Sequence, residues 1–296
     1  MVASLGISIA DVDSNLLRTF VAVAETGSFS AAAQRLAYTQ SAVSQQIAAL
    51  EADLGTPLLT RRPVALTPAG VRLHRHATLL LVRLAAARAD VARATVPPGR
   101  LIVGLTPLAW SPRISAALAR IRAESDRLST RVLVADRDRI VTAAATGEID
   151  IGLVDGFAAP SDPLPLPEAG AVGVAEDGAT VAVPAGHPLA GRASVELADL
   201  ADAYWIDAPA VTPLSRLPVD GLRSGLRYEG SDVTVLTGLI AAGHGLALLP
   251  TGVVLQQGRT GLSGVPVPRL VHRVELLRAA GADGPATRLS ELLAGP

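Results

Sequence analysis

The stretch from Thr39 to Gly55, Thr-Gln-Ser-Ala-Val-Ser-Gln-Gln-Ile-Ala-Ala-Leu-Glu-Ala-Asp-Leu-Gly, admits few structures. Val43, Ile47, Leu50 and Leu54 recur at steps of four, three and four, which predicts an α-helix with one face turned to a core. Ser41, Ser44, Gln45 and Ala48 share the opposite face, which is short, uncharged and rich in hydrogen-bonding groups. Thr39 is placed to cap this helix, and Gly55 followed by Pro57 to end it. A face built only to meet water normally carries long charged side chains. Short ones beside Gln suit close approach to another surface, and Gln matches both edge groups of adenine in a major groove. Taken alone, the stretch fits a plainly solvated amphipathic helix equally well.

The residues before it narrow the choice. Ser14 to Thr26 reads as a first helix with Leu17, Phe20, Val21 and Ala24 inward, broken by Gly27. Ser28 or Ser30 caps a second helix through Ala31 to Leu36, and a short turn at Ala37-Tyr38 leads into the third. Two short helices joined by a tight turn, the second with a polar outer face, form the helix-turn-helix that docks in a major groove.

From Leu16 to Gly70 the chain resembles the DNA-binding domain of the LysR-type transcriptional regulators. The matching residues are Phe20 to Phe29, Ala32-Ala33, Leu36, Ser41 to Ser44, Ile47, Leu50-Glu51, Leu54-Gly55 and Leu66 to Gly70. The DNA-binding candidates are Ser28, Thr39, Gln40, Ser41, Ser44 and Gln45, with Ser44 and Gln45 on bases and Gln40 and Ser41 nearer the backbone. Pro57 to Thr67 reads as a wing of two short extended segments, with Arg61 and Arg62 at its tip for phosphate or minor-groove contact. Two solvated arginines are the alternative, and Leu59 stands where the family usually has Phe.

With no cysteine, disulfides and thiolate metal sites are excluded. His74, His76, His187, His244 and His272 show no metal-ligand spacing. All 26 basic residues are Arg. Residues 1 to 95 hold nine of them against six acidic residues, a net +3, and the remainder seventeen against twenty-one, a net −4, so the basic excess lies where DNA is expected. No uninterrupted apolar run reaches a membrane span's length, and Met1 to Ala10 lack a leader pattern, so a cytoplasmic protein off the membrane is expected.

Residues 1–12 read as a flexible tail, 13–70 as the winged helix-turn-helix and 71–96 as a linker helix. On that helix Leu73, Ala77, Leu80, Leu84, Ala87 and Val91 form a heptad seam suited to a dimer, although a helix packed on its own domain shows the same stripe. Pro97-Pro98-Gly99 marks a boundary. Alternating strands and helices then predict a parallel sheet covered by helices. Pro160, Pro163, Pro165 and Pro167 read as one crossover between lobes, and Pro266 with Pro268 as a second. The expected architecture is α/β, with a winged helix-turn-helix, a long linker helix and a two-lobed effector domain like the type 2 periplasmic binding proteins. Residues 100–165 with 270–296 form the first lobe and 166–269 the second.

Ligands of such sheets sit beyond the carboxyl ends of strands. The effector-binding candidates are therefore Thr106, Trp110, Asp136, Arg137, Asp207 and Ser231, with Arg137 suited to a carboxylate. No nucleophile elbow, phosphate loop or dinucleotide fingerprint is present. The resemblance implies no enzyme and no cofactor beyond a small-molecule co-inducer, anionic if Arg137 meets it. It implies double-stranded DNA and further copies of the chain as partners, in a homotetramer on an interrupted palindrome, with RNA polymerase a further candidate. A sensor acting through protein contacts and an enzyme on the two-lobed scaffold are the rival readings.

Overall fold

The computed structural model describes residues 13–94, 99–125, 127–166, 170–256 and 261–295. The tail expected at 1–12, Pro97-Pro98 of the boundary and Pro167 of the first crossover lie outside them. The chain divides into two units, 1–87 and 88–296.

In the first unit, helices α1 (Ser14–Thr26), α2 (Phe29–Leu36) and α3 (Gln40–Asp53) precede strands β1 (Leu59–Arg61) and β2 (Val64–Leu66) and the long helix α4 (Pro68–Ala94). Each short helix starts at a side-chain cap. Asp13, Ser28 and Thr39 accept from the backbone N–H of Asn15, Ala31 and Ala42. Helix α3 ends in a Schellman motif, in which Thr56 N–H reaches Glu51 O (3.1 Å) and left-handed Gly55 N–H reaches Ala52 O (3.3 Å). The core joins Phe20, Val23, Val43, Ile47, Leu50 and Leu58. Leu54 is not part of it and is 40% exposed, because it lies beyond the last turn of α3.

The seam expected on α4 is divided. Ala77 is buried and Leu73 packs on the helix-turn-helix core, while Leu80 and Val91 are exposed together with Leu79. No helix among the described residues is long and apolar enough to cross a membrane.

In the second unit, β3 (Arg100–Leu105), α5 (Pro112–Glu124), β4 (Ser129–Val134), α6 (Arg137–Ala145) and β5 (Ile151–Ala158) alternate as expected. They are followed by β6 (Val172–Pro184), β7 (Tyr204–Asp207), β8 (Arg223–Arg227), α7 (Val233–Ala241), β9 (Ala247–Pro250), α8 (Thr251–Gln256), β10 (Leu262–Arg278) and α9 (Pro285–Ala294). The sheet is mixed, not parallel, in the order β4-β3-β5-β10-β6-β9. Within it the β3–β4 and β3–β5 pairs are parallel, whereas β10 returns antiparallel between β5 and β6. Strands β7 and β8 pair separately.

In the first lobe, Leu101, Val103 and Leu105 pack with α5 and α9, and Ile102 on the opposite face packs with Ile140 and Ala143 of α6. Val174 belongs to the core with Leu101, so the start of β6 lies with this lobe. The second lobe closes around Val181, Trp205 and Leu248 on one side and Ile206, Leu236 and Leu249 on the other. Pro266 and Pro268, expected as the second crossover, lie within β10, which passes from the second-lobe core at Val265, Val267 and Leu270 to the first-lobe core at Val274 and Leu276, its pairing with β6 broken between Pro266 and Val271.

Candidate functional site

Helix α3 presents Gln40, Ser41 and Gln45 to solvent, with Ser44 half-buried, opposite the buried Val43, Ile47 and Leu50. Gln46 is turned inward, where its amide oxygen accepts from the buried Thr19 hydroxyl and ties α3 to α1. Ser28 caps α2, and the Thr39 and Ser41 hydroxyls bond each other at 3.0 Å. Glu51 joins this helix to the wing, because one carboxylate oxygen accepts from Leu58 N–H (2.8 Å) and Leu59 N–H (3.2 Å). The wing closes on the Thr60 hydroxyl, which donates to Pro63 O (2.6 Å) and accepts from Ala65 N–H (3.1 Å). Arg61 is drawn back toward the helices, 3.5 Å from Glu51 and 4.9 Å over the Phe29 ring. Among the described residues no ion pair reaches Arg62, which leaves its charge for an outside phosphate.

The second site is the cleft between the lobes. Thr106 and Arg137 of the first lobe line it with Asp155, Gly156 and Phe157, facing Pro209 to Thr212 and Arg216 of the second. Behind its wall, the Asp155 carboxylate accepts from the Thr106 hydroxyl and bonds His272 Nε2 at 3.0 Å, all three groups buried. The Thr106 proton is thus committed to Asp155. Arg137 donates through Nε (3.1 Å) and a terminal nitrogen to the Asp155 carbonyl. Burial, then the nearby Arg216 charge, lowers the pKa of this guanidinium from its usual value. A counter-charge in the cleft would relieve both costs. The Thr212 hydroxyl is buried and lacks a hydrogen-bond partner among the described residues, although buried polar groups are usually paired.

Asp136 reaches only the cleft rim and spends its carboxylate capping α6 through Arg139 N–H (2.9 Å). Asp207 pairs with Arg227 at 2.6 Å and accepts from Leu214 N–H. Trp110, Asp207 and Ser231 do not line the cavity that Thr106, Arg137 and Thr212 share. Reading the sequence missed Asp155, His272, Thr212 and Arg216. A signal was available for Asp155, the single charged residue of the otherwise apolar Ile151–Ala158, whereas His272 lies in Leu262–Arg278 among Arg269, Arg273, Glu275 and Arg278 and does not stand out there. Among the described residues no group of His, Asp and Glu is arranged to hold a metal.

Comparison with known proteins agrees with both halves. The model of the bacterial regulatory helix-turn-helix protein, lysR family, matches residues 14–71, and that of the LysR substrate binding domain matches residues 94–290. The chain is 31% identical to a probable hydrogen peroxide-inducible genes activator of Mycobacterium avium, over 94% of this chain and 92% of that one. It is 32% identical to the regulator BudR of Raoultella terrigena, over 79% and 83%. Among solved structures it is similar to a point mutant of full-length BenM (26% identity, TM-score 0.50, 95% and 94% covered). It shares the fold of CbnR (24%, TM-score 0.52, 95% and 98% covered). A DNA-reading helix beside a wing, followed by a two-lobed effector-binding domain, makes this chain a DNA-binding transcriptional regulator of the LysR family.

Proposed function

We propose that this regulator reads operator bases through Ser44 and Gln45, with Gln40, Ser41 and Arg62 on the DNA backbone, and takes an anionic small molecule into the inter-lobe cleft. The observation that carries the reading is the division of adjacent glutamines. Gln46 is spent on Thr19, while Gln45 projects outward in a neutral row of short side chains. Support for the anion is the half-buried Arg137 of the first lobe beside Arg216 of the second, two cations on one cleft.

The exposed Leu79, Leu80 and Val91 of α4 support self-association. The assembly is a homotetramer on an interrupted palindrome in the cytoplasm, with RNA polymerase as the downstream partner, and no catalysis is assigned to it. The M. avium relative is named for hydrogen peroxide. This chain has no cysteine, so a thiol switch is not open to it and the input belongs to the cleft. Selection of bound fragments from random DNA, repeated with Gln45→Ala, tests the reading. Base preference should relax at one position per half-site, and an equal loss on selected and random DNA would refute it.

A further inference from the structure

Arg216 lines all three cavities around the cleft, and Asp138 lines two of them. Their ion pair, at 2.7 Å, joins the first turn of α6 in the first lobe to the turn Leu214–Arg216 in the second. The Asp138 side chain is 83% exposed and caps nothing, that role falling to Asp136, so no packing holds it in place. Arg216 is therefore held by a carboxylate that is free to swing away. Beyond the pair a larger cavity opens, walled by Val141, Phe157, Pro165, Leu166 and Leu217. A carboxylate with a short apolar tail fits this combination: its charge replaces that of Asp138 on Arg216, and its tail meets the apolar wall.

We infer that Asp138 is a built-in competitor for the effector, occupying the Arg216 guanidinium that an organic carboxylate must take, so that binding breaks a bond between the two lobes. The inference rests on the cleft being the effector site. A ligand displacing an exposed ion pair gives up only a small part of its affinity, so the competition sets a threshold without closing the site.

Isothermal titration calorimetry of the full chain with sodium acetate, butyrate and phenylacetate at constant ionic strength, and with neutral butyramide as control, tests it. Asp138→Asn should bind the carboxylates about two- to fivefold tighter than the unaltered chain, with butyramide unaffected. Arg216→Ala should abolish binding in both backgrounds and Arg216→Lys should restore part of it, with circular dichroism verifying folding. If Arg216→Ala abolishes binding but Asp138→Asn binds no tighter, the competitor role is overturned and the cleft reading stands. If no carboxylate binds either the unaltered chain or Asp138→Asn, or if Arg216→Ala binds as before, the cleft reading falls with it.

Discussion

Replacing Asp155 by Ala tests whether the cleft wall is a closed polar network. The carboxylate is 6% exposed and accepts the Thr106 proton while bonding His272 Nε2. Its loss leaves an imidazole nitrogen buried without this partner and the Thr106 hydroxyl with only its longer contact to Leu153 O (3.4 Å), each costing about 1–3 kcal/mol. For the two groups together, at a urea m-value of about 3 kcal/mol/M, the midpoint should fall by about 0.7–2 M. Trp110 and Trp205 are the only tryptophans and both lie in the second unit, with Trp205 fully buried, so fluorescence follows that unit alone. Asp155→Asn keeps an acceptor for Thr106 and should lose less than half as much. A loss below about 1 kcal/mol for Asp155→Ala would mean that water reaches these groups, and the network argument would fail.

Arg62→Ala should weaken binding to operator and random DNA alike and reduce the salt slope by about 1, measured by fluorescence anisotropy across a salt series. Hydrogen peroxide treatment should leave operator affinity unchanged in a mobility-shift assay, since Met1 is the sole sulfur-bearing residue. Glu51→Ala removes the acceptor of the Leu58 and Leu59 N–H groups and should cost the first unit about 2–3 kcal/mol in thermal melts followed at 222 nm. Arg93→Ala removes bonds to Asp150 (3.2 Å), Ala280 O (3.0 Å) and Gly147 O (2.9 Å) and should cost the second unit about 1.5–3 kcal/mol by tryptophan fluorescence.

The helix-turn-helix was legible because its signals are local: caps at Ser28 and Thr39, a stop at Gly55 and a stripe through Val43, Ile47 and Leu50. Periodicity overshot at Leu54, one residue past the helix end, and at Ala24, which is half-buried while Ala22 and Val23 take the core. The mixed sheet was not legible, since nothing within β10 states that its partners are β5 and β6, more than seventy residues away in sequence. Pro266 and Pro268 read as a crossover without showing that the crossover is itself a strand: they stand at the edge of and inside the interruption of the β10–β6 ladder between Pro266 and Val271, where a missing N–H is tolerated. At the cleft, a positional rule found Thr106 and Arg137, which follow β3 and β4. It failed at Asp207, because an ion pair to Arg227 made across β7 and β8 is not written in local sequence.

The polar residues in the cleft wall are not needed by the fold. Apolar residues at 155 and 272 would extend strands already rich in Ile, Leu and Val, and replacing both partners of a buried hydrogen bond by apolar groups of similar shape is close to neutral for stability. What Asp155 and its neighbour provide is placement. The Asp155 carbonyl takes two donors of Arg137, and the guanidinium lies directly against residue 156, where any Cβ would overlap it. Asp-Gly in a buried strand is thus a local device: one residue supplies the acceptor, and the next withdraws its side chain so that a cation can lie on the backbone. That cation is held half-buried beside Arg216, so its position is set by the fold and not by whatever enters the cleft.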